Sequence, residues 1–237
     1  MRQIPSASEF GEQLNHANRL YQALRPDVVT LMVSGYQCYL TDPRGGITDE
    51  PPPRMLTKDS ELITIDEYLG IYIPSDRQIK IFNANIITAA EMLSCEEEDL
   101  AYIVRFHEHA HAAIHLGVTG GERTQGILNA KHARSQFQSL TKVFVGIEAF
   151  LQEQLAQLVT YHVLRMLCDT SQEEAVCEAA HRMLDVFSSL MRRQPSAYRV
   201  EPHLEVSLER LRGSIHLIRK GHLVGKLDPW SEIMSWK

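Results

Sequence analysis

Apolar positions along the chain recur at two spacings, and the switch between them predicts the elements. In residues 6–24, Phe10, Leu14, Leu20 and Leu24 form one stripe, with Ser6 or Ser8 available as N-cap; this predicts a helix that Pro26 ends. "VVTLMVSGYQCYL" (28–40) is rich in β-branched and aromatic residues and reads as a strand. "TDPRGGITDEPPPR" (41–54) breaks at Pro or Gly every few residues and reads as a loop. "YLGIYIPSDRQIKIF" (68–82) places two β-rich arms around Pro74-Ser75-Asp76-Arg77, which predicts a hairpin.

The period then becomes helical. Ser94 followed by Glu97 has the spacing of a capping box, and the acidic run Glu96 to Asp99 suits the positive end of a helix dipole. Leu100, Ile103 and Val104 continue an apolar stripe, and Gly117 is a natural C′ residue, so a helix is expected over about 95 to 116. A polar loop should follow at 118–129, then helices over 138–168, 171–193 and 203–220, with the tail undetermined. The pattern predicts an α+β fold with its strands early: residues 1–168 as the main domain, and 169–237 as a helical part packed on it or within it.

Composition narrows the function classes. A net charge of −6 gives no footing for nucleic acid or anionic membrane, both of which need concentrated Lys and Arg. Cys38, Cys95, Cys168 and Cys177 show no CxxC spacing, which argues against a zinc ribbon or a thioredoxin-type site. The opening residues lack the apolar core of a signal peptide, and no apolar run approaches the roughly 20 residues of a membrane span. A cytoplasmic protein with free thiols is expected. Its 11 histidines are the compositional anomaly, and they crowd into "RFHEHAHAAIHLG" (105–117).

On a helix, His107, His111 and His115 share a face while His109 points nearly opposite. His107 and His115 lie roughly 12 Å apart along the axis, too far to hold one ion, so a metal is bracketed by an i, i+4 pair. Glu108 favours the pair His107 and His111. Together they form HExxH, in which two neutral imidazoles hold zinc and the glutamate acts as general base toward the metal's water. His109 is expected to serve packing or the surface, and His115 the helix end or a hydrogen bond to the site.

A catalytic zinc takes three protein ligands and keeps one position open. The extended HExxHxxGxxH pattern fails, because Ile114 and Gly117 occupy its glycine and last-histidine positions. "GIEAFLQEQLAQLVTYHVL" (146–164) offers Glu148 and Glu153, which point about 140° apart on a helix, so only one can reach the ion. Glu153 shares its face with Ala156, Gln157 and Thr160 and is the preferred third ligand, with Glu148 the alternative. Tyr161, His162 and His132 are candidates for an oxyanion donor.

These motifs, "HEHAHAAIHLG" with its downstream "EQLAQLVTYHVL", resemble the gluzincin zinc metallopeptidases. The likeness is greatest to the compact minigluzincins and ImmA/IrrE-like peptidases, and it covers about residues 65–167. The resemblance implies a zincin-like core, in which a small sheet with an edge strand lies beside the HExxH helix and a third-ligand helix, with extra C-terminal helices. It implies one Zn²⁺ held by His107, His111 and Glu153, with Glu108 as base. The substrate would be a protein or peptide pairing with an edge strand, for which 79–82 or 69–73 are candidates. The competing expectation is a non-catalytic zinc-containing regulatory or interaction protein, in which the fourth position is filled by a side chain.

Overall fold

The computed structural model describes Leu24, Arg25, Val29 and residues 39–60, 63–117, 130–171, 173–221, 230, 231 and 233, without the side chains of 130, 132 and 202. All of the helix expected at 6–24 except Leu24, nearly all of the strand expected at 28–40, the loop at 118–129 and most of the tail lie outside the described residues.

The fold is α+β. Strand β1 (Arg44–Thr48) is followed by a π-helical turn (Ile65–Leu69), then β2 (Gly70–Ile73) and β3 (Gln78–Phe82). Six helices follow among the described residues: α1 (Asn83–Leu93), α2 (Glu97–Leu116), α3 (Ala130–Val145), α4 (Ala149–Thr170), α5 (Glu174–Arg193) and α6 (Leu208–Arg219). The sheet order is β1-β3-β2, with β1 parallel and β2 antiparallel to β3.

The hairpin forms where the alternation placed it, with residues 74–77 as its turn and Gly70 paired with Ile81 through to Ile73 with Gln78. Its first arm is shorter than expected, because Tyr68 and Leu69 belong to the π turn. β3 lies in the middle of the sheet, so 79–82 is not an edge; β2 and β1 are the edges.

β1 corrects the expectation of a loop at 41–54. Its pairing is non-local, and its sequence is permissive instead of β-rich. Gly45 has φ +103°, and a Cβ there would lie 2.0 Å from the Ile79 carbonyl oxygen, so only glycine brings this backbone against β3.

α1 was not foreseen, and its end explains the misread cap. Ser94 does not start α2. It closes α1 in the left-handed region (φ 56°, ψ 47°), with its N–H donating to the Glu91 carbonyl and the Cys95 N–H donating to the Ala90 carbonyl. That is a Schellman motif built on serine. α2 begins after Glu96 with no side-chain cap, its acidic first turn facing the helix dipole. It ends at Gly117 as expected, though with extended backbone (φ −62°) in place of a left-handed C′.

The helix expected over 138–168 is two helices, α3 and α4, broken at Gly146–Glu148. The Gln152 amide donates to the Phe144 and Ile147 carbonyls and so satisfies the end of α3, while the Glu148 carboxylate accepts the Leu151 N–H and caps α4.

α2 runs through the centre, packed on the sheet and on α1, α3, α4 and α5. One continuous core joins Ile63, Ile79 and Ile81 to Leu100, Ile103 and Phe106 of α2, Leu155 and Val159 of α4 and Phe187 of α5. The C-terminal helices contribute to this same core. Asp99 of α2, nearly buried, accepts a two-pronged ion pair from Arg182 of α5 at 3.0 and 3.3 Å. Among the described residues no helix is long and apolar enough to cross a membrane.

Candidate metal centre

Helical spacing sets His107 and His111 one turn apart on the face of α2 that α4 crosses, and their Nε2 atoms come within 3.1 Å. From α4, Glu153 places one carboxylate oxygen 3.3 Å from His107 Nε2 and the other 3.2 Å from His111 Nε2. A fourth side chain arrives from the π turn: Asp66 Oδ1 lies 3.7 Å from His107 Nε2 and 3.6 Å from His111 Nε2. One ligand atom from each of the four lies within 4.8 Å of all the others.

The π turn is what aims Asp66. Ile65 and Leu69 are buried in the core, and the Gly70 N–H closes the turn onto the Ile65 carbonyl. Asn85, buried on α1, donates to the carbonyls of Tyr68 and Arg54 at 2.7 Å and accepts the Leu56 N–H, which fixes the turn from behind. π-helical turns of this kind are found disproportionately at functional sites.

The donor set fits a metal ion. Asp66 Oδ1 and Glu153 Oε2 within the set, and both oxygens of Glu108 beside it, are buried with no hydrogen-bond partner. Converging lone pairs left unpaired in a core are costly unless a cation or protons sit among them. Zinc bonds of 2.0–2.2 Å in a tetrahedron imply ligand atoms about 3.3–3.6 Å apart. The separations of 3.1, 3.2, 3.3, 3.6 and 3.7 Å bracket that value.

Electrostatics point the same way. Burial alone would push His107 down, but its contacts with Asp66 and Glu153 outweigh it and hold the imidazole at about 9. Burial is likewise overcome at His111, where Asp66 and Glu153 raise it well above the usual range. Asp66 is held well below the carboxylate range despite burial, by His111 and His107. Without metal, the cluster is a knot of imidazolium and carboxylate charge, which a divalent cation can replace with neutral imidazoles.

Glu108 differs from the rest. It is fully buried, and burial followed by the charge of Asp66 raises its carboxyl well above the ordinary value. β2 covers it: a Cβ on Gly70 would lie 2.7 Å from Glu108 Oε1 and 2.8 Å from Val104 Cγ1. Gly70 has extended backbone that any residue adopts, so the glycine is there for the close approach of strand to carboxylate.

The other histidines of α2 are satisfied within the protein. His115 Nδ1 meets the Tyr72 hydroxyl at 2.9 Å and its Nε2 meets Thr141 Oγ1 at 3.0 Å, with Phe144 stacked on the ring. Thr141 donates its own proton to the Phe137 carbonyl, which assigns His115 Nε2 as donor and Nδ1 as acceptor. The helix-end role expected for His115 is therefore a buried hydrogen-bonded one. His109 meets the Tyr39 hydroxyl at 3.0 Å. Burial pushes both rings down to about 3.

Three further candidates leave the site. Glu148, the alternative third ligand, caps α4 instead. His162 bonds the Val206 carbonyl at 3.0 Å, and Tyr161 packs beside it at the edge of the core. Both sit about two turns beyond Glu153, on the order of 12 Å along the axis, because the helix carries them past the ion. The His132 side chain lies outside the described residues.

Two residues near the site were not foreseen. Asp66 stands in "TIDEY", where acidic residues read as solvated, and only the π turn turns one inward. Tyr198 lies on the 3₁₀ turn Ser196–Tyr198, edge-on to Phe150 of α4 at 5.2 Å. The Gln154 amide donates to the Ala197 and Arg199 carbonyls and fastens that turn beside Glu153. Partial burial, followed by the carboxylates of Glu153, Glu67, Asp66 and Glu148, raises the Tyr198 hydroxyl.

A separate cavity lies away from the cluster. It measures about 520 Å³ between β1 and the first half of α2, lined by Ile47, Ile81, Ile86, Tyr102 and Arg105, and it includes no residue of the cluster. No family model matches the chain, and no curated protein or solved structure matches it either. The likeness to gluzincins rests on its motif residues alone.

Proposed function

We propose that this chain is a zinc-dependent hydrolase of the metallopeptidase type, with His107, His111 and Glu153 holding the ion and Glu108 serving as general base. The observation that carries this reading is a buried carboxylate without a partner, Glu108, directly beside a four-donor cluster that fits a divalent cation. When bound, zinc supplies Lewis acidity that polarises a carbonyl and brings the pKa of water to about 7.

The chain's own residues supply the rest. Glu108, raised by its surroundings, takes a proton from water and returns it to the leaving amine. Tyr198 replaces Tyr161 and His162 as the donor to a developing oxyanion. β2, an edge strand of the described sheet, lies directly over Glu108, and its outer edge offers main-chain hydrogen bonds to an extended peptide.

Glu108→Gln is expected to keep zinc at one ion per chain and to lose peptide hydrolysis by on the order of 10²–10⁴-fold. Full activity in that variant contradicts the role of Glu108. Tyr198→Phe is expected to lower kcat on the order of 10²-fold at unchanged zinc content.

A second reading has one observation in its favour. Asp66 would supply a fourth protein donor beside His107, His111 and Glu153, and a closed four-ligand site is structural. In that case zinc holds π turn, α2 and α4 together, and chelation lowers Tm without any hydrolysis to lose.

A further inference from the structure

We propose that Asp66 is a displaceable fourth ligand, which keeps the metal centre closed at rest and swings away to admit an incoming group. This rests on the metal centre proposed above and concerns its regulation. Asp66 Oδ1 is buried, has no hydrogen-bond partner and points between the two imidazoles. Its distances of 3.6 and 3.7 Å are longer than the 3.2 and 3.3 Å of Glu153. The carboxylate therefore belongs to the donor set and sits at its loose end.

Mobility is unequally shared among the four side chains. His107, His111 and Glu153 are 0%, 4% and 7% exposed and come from two long helices packed through the core. Asp66 is 36% exposed and comes from a five-residue turn at the surface. A χ rotation carries its carboxylate into water without moving the core, whereas Ile65 and Leu69 of the same turn stay buried. Its neighbour Glu67 already faces outward, paired with Arg54 at 3.1 Å. Departure of Asp66 would leave His107, His111 and Glu153 to hold the ion and free one donor position for an incoming group. The cost of displacing Asp66 is then charged to every incoming ligand, as a closed-to-open equilibrium.

The test uses the full chain loaded with Co²⁺, followed by visible absorption, with 2-mercaptoethanol as the probe. A thiolate entering the cobalt sphere produces a sulfur-to-cobalt charge-transfer band. Wild type is expected to admit the thiol weakly. Asp66→Ala is expected to bind it roughly 10–100-fold more tightly, the factor by which a site closed about 90–99% of the time weakens an incoming ligand. Asp66→Asn, which keeps the shape and loses the charge, is expected between the two and guards against a folding defect in the alanine variant. Equal thiol affinity in wild type and both variants overturns the proposal, whatever the hydrolysis. Tighter thiol binding with no peptide hydrolysis in any variant retains Asp66 as the ligand and removes the peptidase reading. Failure of the wild type to bind Co²⁺ at all overturns both.

Discussion

One helix carries two pairs of histidines with opposite fates. His107 and His111 turn their Nε2 atoms toward each other and toward carboxylates, leave buried polar atoms unpaired, and are raised in pKa. His109 and His115 each find a tyrosine hydroxyl, and burial lowers both to about 3. All four have the same residue type, on the same element, within nine positions. Partners decide the difference. An imidazole answered by a hydroxyl and a threonine is finished as structure, whereas one facing carboxylates across 3.2 to 3.7 Å belongs to a group that could hold a cation.

The largest test of that contrast removes ligands. His107→Ala or His111→Ala should weaken zinc binding by more than about 100-fold in competition with a chelator, beyond what loss of a supporting residue does, while His109→Ala should leave it within a few-fold. Comparable losses in all three would erase the distinction between the pairs.

pH separates the pairs next. His107 has a folded pKa of about 9, above its ordinary value, so its contribution to the metal-free fold is complete below pH ~6.5 and is lost as pH rises through 9. His109 and His115 have folded values of about 3, so theirs is complete above pH ~6.5 and is lost as pH falls toward 3. Thermal melts of metal-free protein should therefore fall by several degrees on both sides of neutrality. Saturating zinc should flatten the alkaline side only, because bound imidazoles are neutral already. A zinc effect confined to the acid side would reverse the assignment.

Packing over the site gives a smaller effect. Gly70→Ala puts a methyl against Glu108 and Val104 and should cost about 1–3 kcal/mol by denaturant melts. A stabilised variant would mean that β2 does not press on Glu108. Smallest of all, Tyr72→Phe leaves His115 Nδ1 without its hydroxyl and should cost about 1 kcal/mol with zinc affinity unchanged. A change in zinc affinity there would couple the finished histidine to the cluster.

The legible parts of this molecule were those with local periodicity. The i, i+4 spacing of His107 and His111 placed them on one face, and the company of Ala156, Gln157 and Thr160 marked the buried side of α4 on which Glu153 lies. The hairpin was visible because alternation and a proline turn are short-range. What stayed hidden depended on partners far along the chain. β1 needs β3, and its glycines conceal it. Ser94 has the composition of an N-cap, but the unforeseen helix before it claims it as an end. Asp66 lies 41 positions before His107, in a turn whose π geometry no local pattern announces, and Tyr198 follows α5 on a short 3₁₀ turn that packs on Phe150 of α4. The donors on the long helices α2 and α4 were readable from helical spacing; Asp66, on the π turn, was not.

Metal analysis of tag-free protein, combined with X-ray absorption at the zinc edge, tests the central claim most directly. The account predicts one zinc per chain, with two imidazole nitrogens and carboxylate oxygens as the protein ligands, lost in His107→Ala and His111→Ala. Protein that binds no zinc above background, or that binds it equally well in both variants, contradicts it.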